Sequence, residues 1–384
     1  MAVTYSRTRA TIRDARGPSG FGRRVGAAAA TVMVVGSSLY LMTAPAADAA
    51  TLTVCASGCE YTQIQPAVDA AAPGDTINVR AGTYAGGVVM ATSLTLSGAG
   101  ASTTTISGGG PVVTVSAQSV TIRGFSIVDG QTTSTQGGGG VLNTGSLTIE
   151  NVRIAGNTSE YFGGGVANYG TLTLQNVNVL ANTSQSFGGG GIFNDTGTAN
   201  LVGDTVQANS APGFPGGGLY NSYGTATVSS STFTANTSAD GGAIASTQTE
   251  LSLKVADSTL TNNAATDGGG GIYVQGLVHH GSGVFTLSGT TVKANTAPTG
   301  AGLDISYTVT ATAHNDQIKA NTATGDGGGV YLETSSTVAF NATTSIENNT
   351  AKSGGGLFND GGTFHLNGAV VANNHPDNCA PTAC

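Results

Sequence analysis

Tryptophan is absent from this 384-residue chain, charged side chains make up only 9% of it, and histidine occurs five times. Thirteen basic residues against twenty-one acidic ones leave a formal net charge of −8. That balance excludes the basic footprint of a nucleic-acid binder or of a protein held on anionic lipid. Gly-x-Ser-x-Gly, His-Glu-x-x-His, a paired-cysteine metal frame and a phosphate-binding loop are all missing, so no catalytic motif is local in sequence. Helical periodicity is missing over most of the chain, which excludes helical bundles and alternating α/β folds. Low charge and 60 glycines fit disorder as well as a solenoid, but regularly spaced apolar residues supply a continuous core that disordered chains lack.

What is present is one phrase, used nine times. The copy from Gly137 to Asn157 reads GGGGVLNTGSLTIENVRIAGN. The aliphatic residue after the glycines is Val141, Val166, Ile192, Leu219, Ile244, Ile272, Leu303, Val330 and Leu357, at spacings of 25, 26, 27, 25, 28, 31, 27 and 27. Within the phrase, Val141/Asn143, Leu147/Ile149 and Val152/Ile154 alternate with polar residues, which predicts three short strands per period. Strands stacked coil on coil make a parallel β-helix. The leucine frame and helical turn of a leucine-rich repeat are not found, and hexapeptide helices have a much shorter period. The predicted fold is therefore all-β, a single right-handed parallel β-helix of about twelve coils with a short N-terminal capping helix.

The phrase ends on Asn, three residues after an inward apolar residue: Asn157, Asn182, Asn209, Asn236, Asn263, Asn295, Asn321, Asn349 and Asn374. At a strand spacing of about 4.8 Å these amides can bond from coil to coil as a structural ladder. A partial second ladder is expected at Asn143, Asn168, Asn194, Asn221 and Asn359. The glycines supply turns with positive φ and permit close backbone approach.

These nine coils, over about residues 137–374, resemble the GG-aliphatic plus Phe-x-x-Asn repeats of polymorphic outer-membrane proteins and the wider right-handed, pectate-lyase-like β-helices. The sequence departs from that pattern in having the Phe only at Phe233-Thr-Ala-Asn236, and in having no membrane barrel after the last coil. The string from Tyr61 to Tyr84 is similar to the opening of pectinesterase-like β-helices, where it is a cap that carries no catalytic residue.

Residues 1–50 read as an export signal: six arginines, an apolar run from Val25 to Met42, and a small-residue site at Ala47-Asp48-Ala49 or Ala44-Pro45-Ala46. Arg23-Arg24 lacks the residues that usually follow a twin-arginine pair, so general secretion is expected, with a retained N-terminal anchor as the alternative. Without this leader the chain keeps seven basic and nineteen acidic residues, a formal charge of −12. Residues 51–136 are read as the cap and first coils, with Thr62 as N-cap of a helix placing Ile64, Val68 and Ala71 on one face. Residues 137–374 are the regular repeats and 375–384 a C-terminal tail. The four cysteines form two close pairs, and local Cys55–Cys59 and Cys379–Cys384 disulfides are expected in an exported chain because the ends of a long solenoid lie far apart.

Lyases on this fold join calcium-binding carboxylates to a Lys or Arg base, and hydrolases on it use paired carboxylates, so candidate sites must be sought across coils. Aligned on the Asn, the residue two before it puts Lys293, Lys319 and Glu347 outward on successive coils, with Asp240, Asp267 and Asp326 at the rim of the neighbouring turn. The competing reading is a solvated face with Asp residues capping turns. One calcium ion cannot bridge Asp267 and Asp326, two coils or roughly 10 Å apart, so no metal or other cofactor is assigned and Ca²⁺ belongs only to the lyase reading. Arg123 and Arg153 lie several coils from the lysines. His279, His280 and His314 lie in the two long inserts, where either exposure alone or a role in binding fits. Tyr161, Phe162, Phe187, Phe214, Tyr220 and Tyr223 lie near four successive glycine turns, as a strip for sugar rings or as turn packing.

Two functions are consistent with this sequence. One is a secreted or cell-surface, non-catalytic, adhesin-like protein, monomeric, partnered by an extracellular polysaccharide or cell wall, with no nucleic acid and no membrane once the leader is removed. The alternative is a polysaccharide lyase or glycoside hydrolase. A flat ice- or mineral-binding threonine array is disfavoured by insertions at residues 273–285 and 304–316.

Overall fold

The structure is a computed structural model that describes residues 31–35, 38–42, 48–247, 252–277, 283–382 and 384. Within the predicted leader, Thr31–Val35 and Ser38–Met42 pair as antiparallel strands. Ala49–Cys384 forms one compact unit. It is a parallel β-helix of about twelve coils, built from sheets of 13, 12, 12 and 8 strands.

The coil from Val141 to Gly165 shows how sequence becomes structure. Val141–Asn143 belongs to the third sheet, Ser146–Glu150 to the first, Arg153–Ala155 to the second, and Thr158–Ser159 to the fourth. Each strand pairs in parallel with its counterpart in the next coil, so Leu147 meets Leu172 and Ile154 meets Val179. Alternation fixes the inward set: Leu147, Ile149, Val152 and Ile154 are each no more than 1% exposed and join one core that runs the length of the solenoid. The fourth strand was not expected. Its two residues are too few to show alternation, and its pairing follows from the Asn that precedes it. The sheets run from the first coils into the repeats without a break, Val120 pairing with Leu147 and Val113 with Val141.

The corner between the second and fourth sheets is held by asparagine. Asn157 Nδ2 donates to Asn182 Oδ1 at 2.9 Å and to the Ile127 carbonyl at 3.2 Å, while the Asn157 backbone N–H donates to the same Asn182 oxygen at 3.0 Å. The arrangement repeats through Asn209, Asn236, Asn263, Asn295, Asn321, Asn349 and Asn374. It begins where Gly130, lacking a side chain, gives only its N–H to Asn157 Oδ1, and closes on Asn378. The residue before each Asn is in the left-handed region; Ala181, Ala208, Ala235, Ala294 and Ala320 have φ of 51° to 55°. A non-glycine residue there costs about 1–2 kcal/mol, a strain the ladder offsets.

Inside the core corner of the third sheet, Asn143, Asn168, Asn194 and Asn221 bond in series and end on Ser246 Oγ. Asn359 is not part of this second ladder: Leu332 occupies its position in the preceding coil, and Asn359 accepts the Gly362 N–H instead. The glycines that follow the fourth sheet have two separate duties. Gly216 has φ +71°, and a Cβ on Gly217 would sit 2.5 Å from the Gly242 carbonyl oxygen of the next coil.

The cap helix is Ile64–Ala70 and buries Ile64, Ala67 and Val68. Gln63, not Thr62, holds the N-cap position, without a side-chain cap bond. Cys55–Cys59 and Cys379–Cys384 are bonded, with Cα separations of 5.6 and 5.3 Å. The tail also adds a strand, Cys379–Ala380, beside Leu357 and Phe358.

Asn236→Ala will cost about 1–3 kcal/mol, because two amides lose buried partners. Asn374→Ala, at the half-buried end, will cost less, and equal losses in urea denaturation would contradict the ladder account.

Candidate functional site

The structure aligns Lys293, Lys319 and Glu347 on adjacent strands of the second sheet. Lys293 is exposed, and the Lys319 ammonium is engaged by Gln317. Asp267 and Asp326 lie beyond the asparagine corner, on the fourth-sheet side. Their backbone carbonyls accept the Thr299 and Gly300 N–H groups, so the aspartates and the lysines flank different sheets. Among the described residues no group of three or more His, Cys, Asp or Glu side chains converges as a metal site would require. Arg123 bonds Ser97, and Arg153 bonds Ser126. His279 and His280 lie outside the described residues, and His314 is exposed.

The aromatic residues form two rows. Tyr161 stacks on Phe187 at 5.8 Å and 12°, and Phe187 meets Phe214 at 5.8 Å. Below them Phe162, Phe193 and Tyr220 pack at 4.4 and 5.5 Å. These rings turn their faces toward one another, coil to coil. Tyr220 is 9% exposed and its hydroxyl shares a 3.0 Å hydrogen bond with Thr247 Oγ1, whereas Phe187 is 49% exposed.

The lower row continues along the outward face of the third sheet, in register, as Phe193, Tyr220, Ala245, Tyr273, Asp304, Tyr331 and Phe358. This column was missed because the repeats were aligned on their Asn. Aligned on the aliphatic residue after the glycines, the very next position reads it off. From Tyr273 to Tyr331 the column is acidic and phenolic. Tyr331 donates to Asp360 Oδ2 at 2.8 Å, and Tyr331 and Phe358 stack at 5.5 Å and 2°. Asp304 is 3% exposed and accepts bonds from Thr299 at 2.8 Å and Ser306 at 2.7 Å.

The electrostatics of this face follow from burial, with no cation among the described residues lowering its carboxyls. Burial pushes Asp304 up to about 6, against the two hydroxyl bonds that lower it, and Asp240 and Glu333 add to the rise. Asp240 is likewise raised to about 6 by burial and by Asp267. Burial, and then Asp304, Asp240, Glu333 and Tyr307, hold the Tyr273 phenol above its ordinary value. Tyr307 is raised chiefly by its hydrogen bond to Glu333. The result is a rigid, acceptor-rich face carrying three tyrosines.

The long inserts do not disturb the outer face of the first sheet. Lys254, Thr286 and Thr312 remain in register there. The expected break in its polar columns is therefore not found.

The Chlamydia polymorphic membrane protein repeat matches residues 257–275. No curated protein is a significant match. Among solved structures, the Dettilon tailspike protein is similar at 11% identity and a TM-score of 0.40, over 76% of this chain and 62% of the tailspike. The Azotobacter vinelandii mannuronan C-5 epimerase AlgE6 A-module is similar at 16% identity and a TM-score of 0.35, over 83% of this chain and 95% of the module. A mannuronic acid specific polysaccharide family 6 lyase from human gut microbiota is similar at 7% identity and a TM-score of 0.34, over 87% and 91% of the two chains. The chain is a parallel β-helix repeat protein whose repeats resemble those of the polymorphic membrane proteins.

If the rings serve as packing, Phe187→Ala will lower stability by about 1 kcal/mol, and Tyr220→Phe by a similar amount through loss of the Thr247 bond. Unchanged denaturation midpoints in both variants would leave the rings free for a ligand.

Proposed function

We propose that the chain is an exported, non-catalytic β-helix that binds an extracellular glycan through the outward face of the third sheet between Tyr273 and Asp360. The observation that carries this reading is the register that puts Tyr273, Asp304, Tyr331 and Phe358 in one column, with Glu333 and Asp360 beside it. Half-buried Glu333 and exposed Asp360 can accept hydrogen bonds from sugar hydroxyls, while buried Asp304 is bonded to Thr299 and Ser306, and tyrosine offers a flat apolar body with a polar tip. Strands rather than loops hold these groups, so little order has to be gained on binding. The acidic face and the −12 charge of the chain without its leader disfavour polyanions, which leaves neutral or amino-sugar polymers as the ligand class. The leader and two disulfides support an extracellular setting, and the match to a membrane-protein repeat supports a place at the cell surface.

Retention on chitin, chitosan and cellulose, compared with pectate and alginate, tests this. Binding to a neutral or amino-sugar polymer is expected, weakened roughly tenfold, or about 1.4 kcal/mol, by Tyr273→Ala combined with Glu333→Gln. No reducing or unsaturated ends will form, with or without calcium. Retention on pectate or alginate alone, or calcium-dependent turnover lost in Lys293→Ala, would overturn the proposal in favour of a lyase.

A further inference from the structure

The corner between the first and second sheets carries a ladder of mixed residue type. Val177 N–H donates to Asp204 Oδ1 at 2.7 Å, Asp204 N–H to Ser231 Oγ at 3.0 Å, and Ser231 N–H to Ser258 Oγ at 3.1 Å. Ser258 N–H donates to Thr290 Oγ1 at 3.3 Å, Thr290 N–H to Asp316 Oδ1 at 2.9 Å, and Asp316 N–H to Thr344 Oγ1 at 3.4 Å. Three of the hydroxyls also donate to the carbonyl two residues earlier: Ser231 to Ser229 at 2.8 Å, Ser258 to Ala256 at 2.6 Å, and Thr290 to Ser288 at 3.0 Å. Each rung at those positions is thus acceptor and donor at once.

Asp204 and Asp316 hold the ladder position of their respective coils at 1% and 0% exposure, and the Oδ2 of each is buried with no partner. An ionised carboxylate has only acceptors to offer, so a charged Oδ2 here would be stranded, at a cost well above that of a neutral group. The carbonyls at the equivalent offset are those of Val202 and His314. Each accepts one backbone N–H, from Asn176 at 3.1 Å and Gly289 at 2.9 Å, as Ser229 accepts Gly203 at 3.0 Å, and each keeps a second lone pair.

We propose that Asp204 and Asp316 are built into the solenoid as neutral carboxylic acids, standing in for hydroxyls in this ladder, so that their coils are firm in acid and loosen as the two protons leave.

The strands around Asp204 carry no titratable side chain: Thr171–Gln175, Thr198–Val202 and Thr225–Ser229 in the first sheet, and Asn178–Leu180, Thr205–Gln207 and Thr232–Thr234 in the second. Around Asp316 the titratable groups are Asp257, His314, Lys293, Lys319 and Glu347, all exposed or half-buried at outward positions. Burial raises both carboxyls from an ordinary 3.8 to about 7, against backbone hydrogen bonds that lower them. A proton held more tightly in the folded chain stabilises it fully below the unfolded value, and that stabilisation is lost as pH rises toward about 7.

The test uses the chain without its leader, together with Asp204→Ser and Asp316→Thr. Relative to Asp204→Ser, the folding constant of the wild type is expected to fall about a hundredfold between pH 4.5 and 7.5, from roughly tenfold per pH unit below the folded value. Parallel stability curves would overturn the proposal. In ¹³C-labelled wild type, two aspartate carboxyl carbons should titrate near 7, a reading that needs no variant to fold. Titration of every aspartate below 5 would overturn it as well.

Discussion

At two corners of the solenoid, first to second sheet and second to fourth, a backbone N–H leaves the sheet without a backbone acceptor on the neighbouring strand, and the stacking of the coils there depends on that N–H finding a side-chain oxygen. At the corner between the second and fourth sheets the acceptor is an asparagine oxygen, which takes both the backbone and the side-chain N–H of the coil before it. Its own amide then gives to the next oxygen and to a strand carbonyl. Asp lacks the donors and Ser lacks the second donor, so this corner admits little but Asn. The corner between the first and second sheets asks for fewer bonds, and Asp, Ser and Thr all serve there.

This constraint decides where the chain can vary. Corners locked by a ladder hold their length, and the 31-residue period between Ile272 and Leu303 falls in a coil where Val274 stands at the position that Asn221 and Ser246 hold in the second ladder. Glycines that approach the next coil's carbonyls carry the chain from the fourth sheet back to the third. The outward column of the third sheet is then the place where aromatic and acidic side chains gather, stacked rings toward Phe193 and phenols with carboxylates toward Tyr331. The proposed glycan face is the Tyr273–Asp360 part of that column, where Asp304 is held by Thr299 and Ser306 and Tyr331 by Asp360 and Phe358.

Much of the architecture is legible in the sequence because its signals are periodic and chemically narrow. Asn recurs at a fixed offset from an inward apolar residue, and nothing else replaces it. The GG-aliphatic phrase marks the turn and the strand after it. The mixed corner ladder was not legible, since Asp204, Ser231, Thr290 and Thr344 have no single residue type in common and become one series only once the register is known. For that reason nothing in the sequence sets Asp204 and Asp316 apart from the other acids. The phenolic column is readable from the aliphatic residue after the glycines, whereas the Asn as anchor picks out the lysine column. The fourth sheet left no signal beyond two residues after each Asn, and left-handed alanines such as Ala208 leave none at all.

Site-resolved hydrogen exchange on the native chain tests the dependence on the asparagine ladder most directly, because ladder amides bond to side chains rather than to a sheet. The backbone amides of Asn182, Asn209, Asn236, Asn263 and Asn295 donate to the next asparagine at 2.9 to 3.0 Å. They should exchange as slowly as the central strands they adjoin, through the same cooperative opening, with Asn374 faster at the end. Ladder amides that exchange at the rate of exposed turns while the strands stay protected would contradict the account.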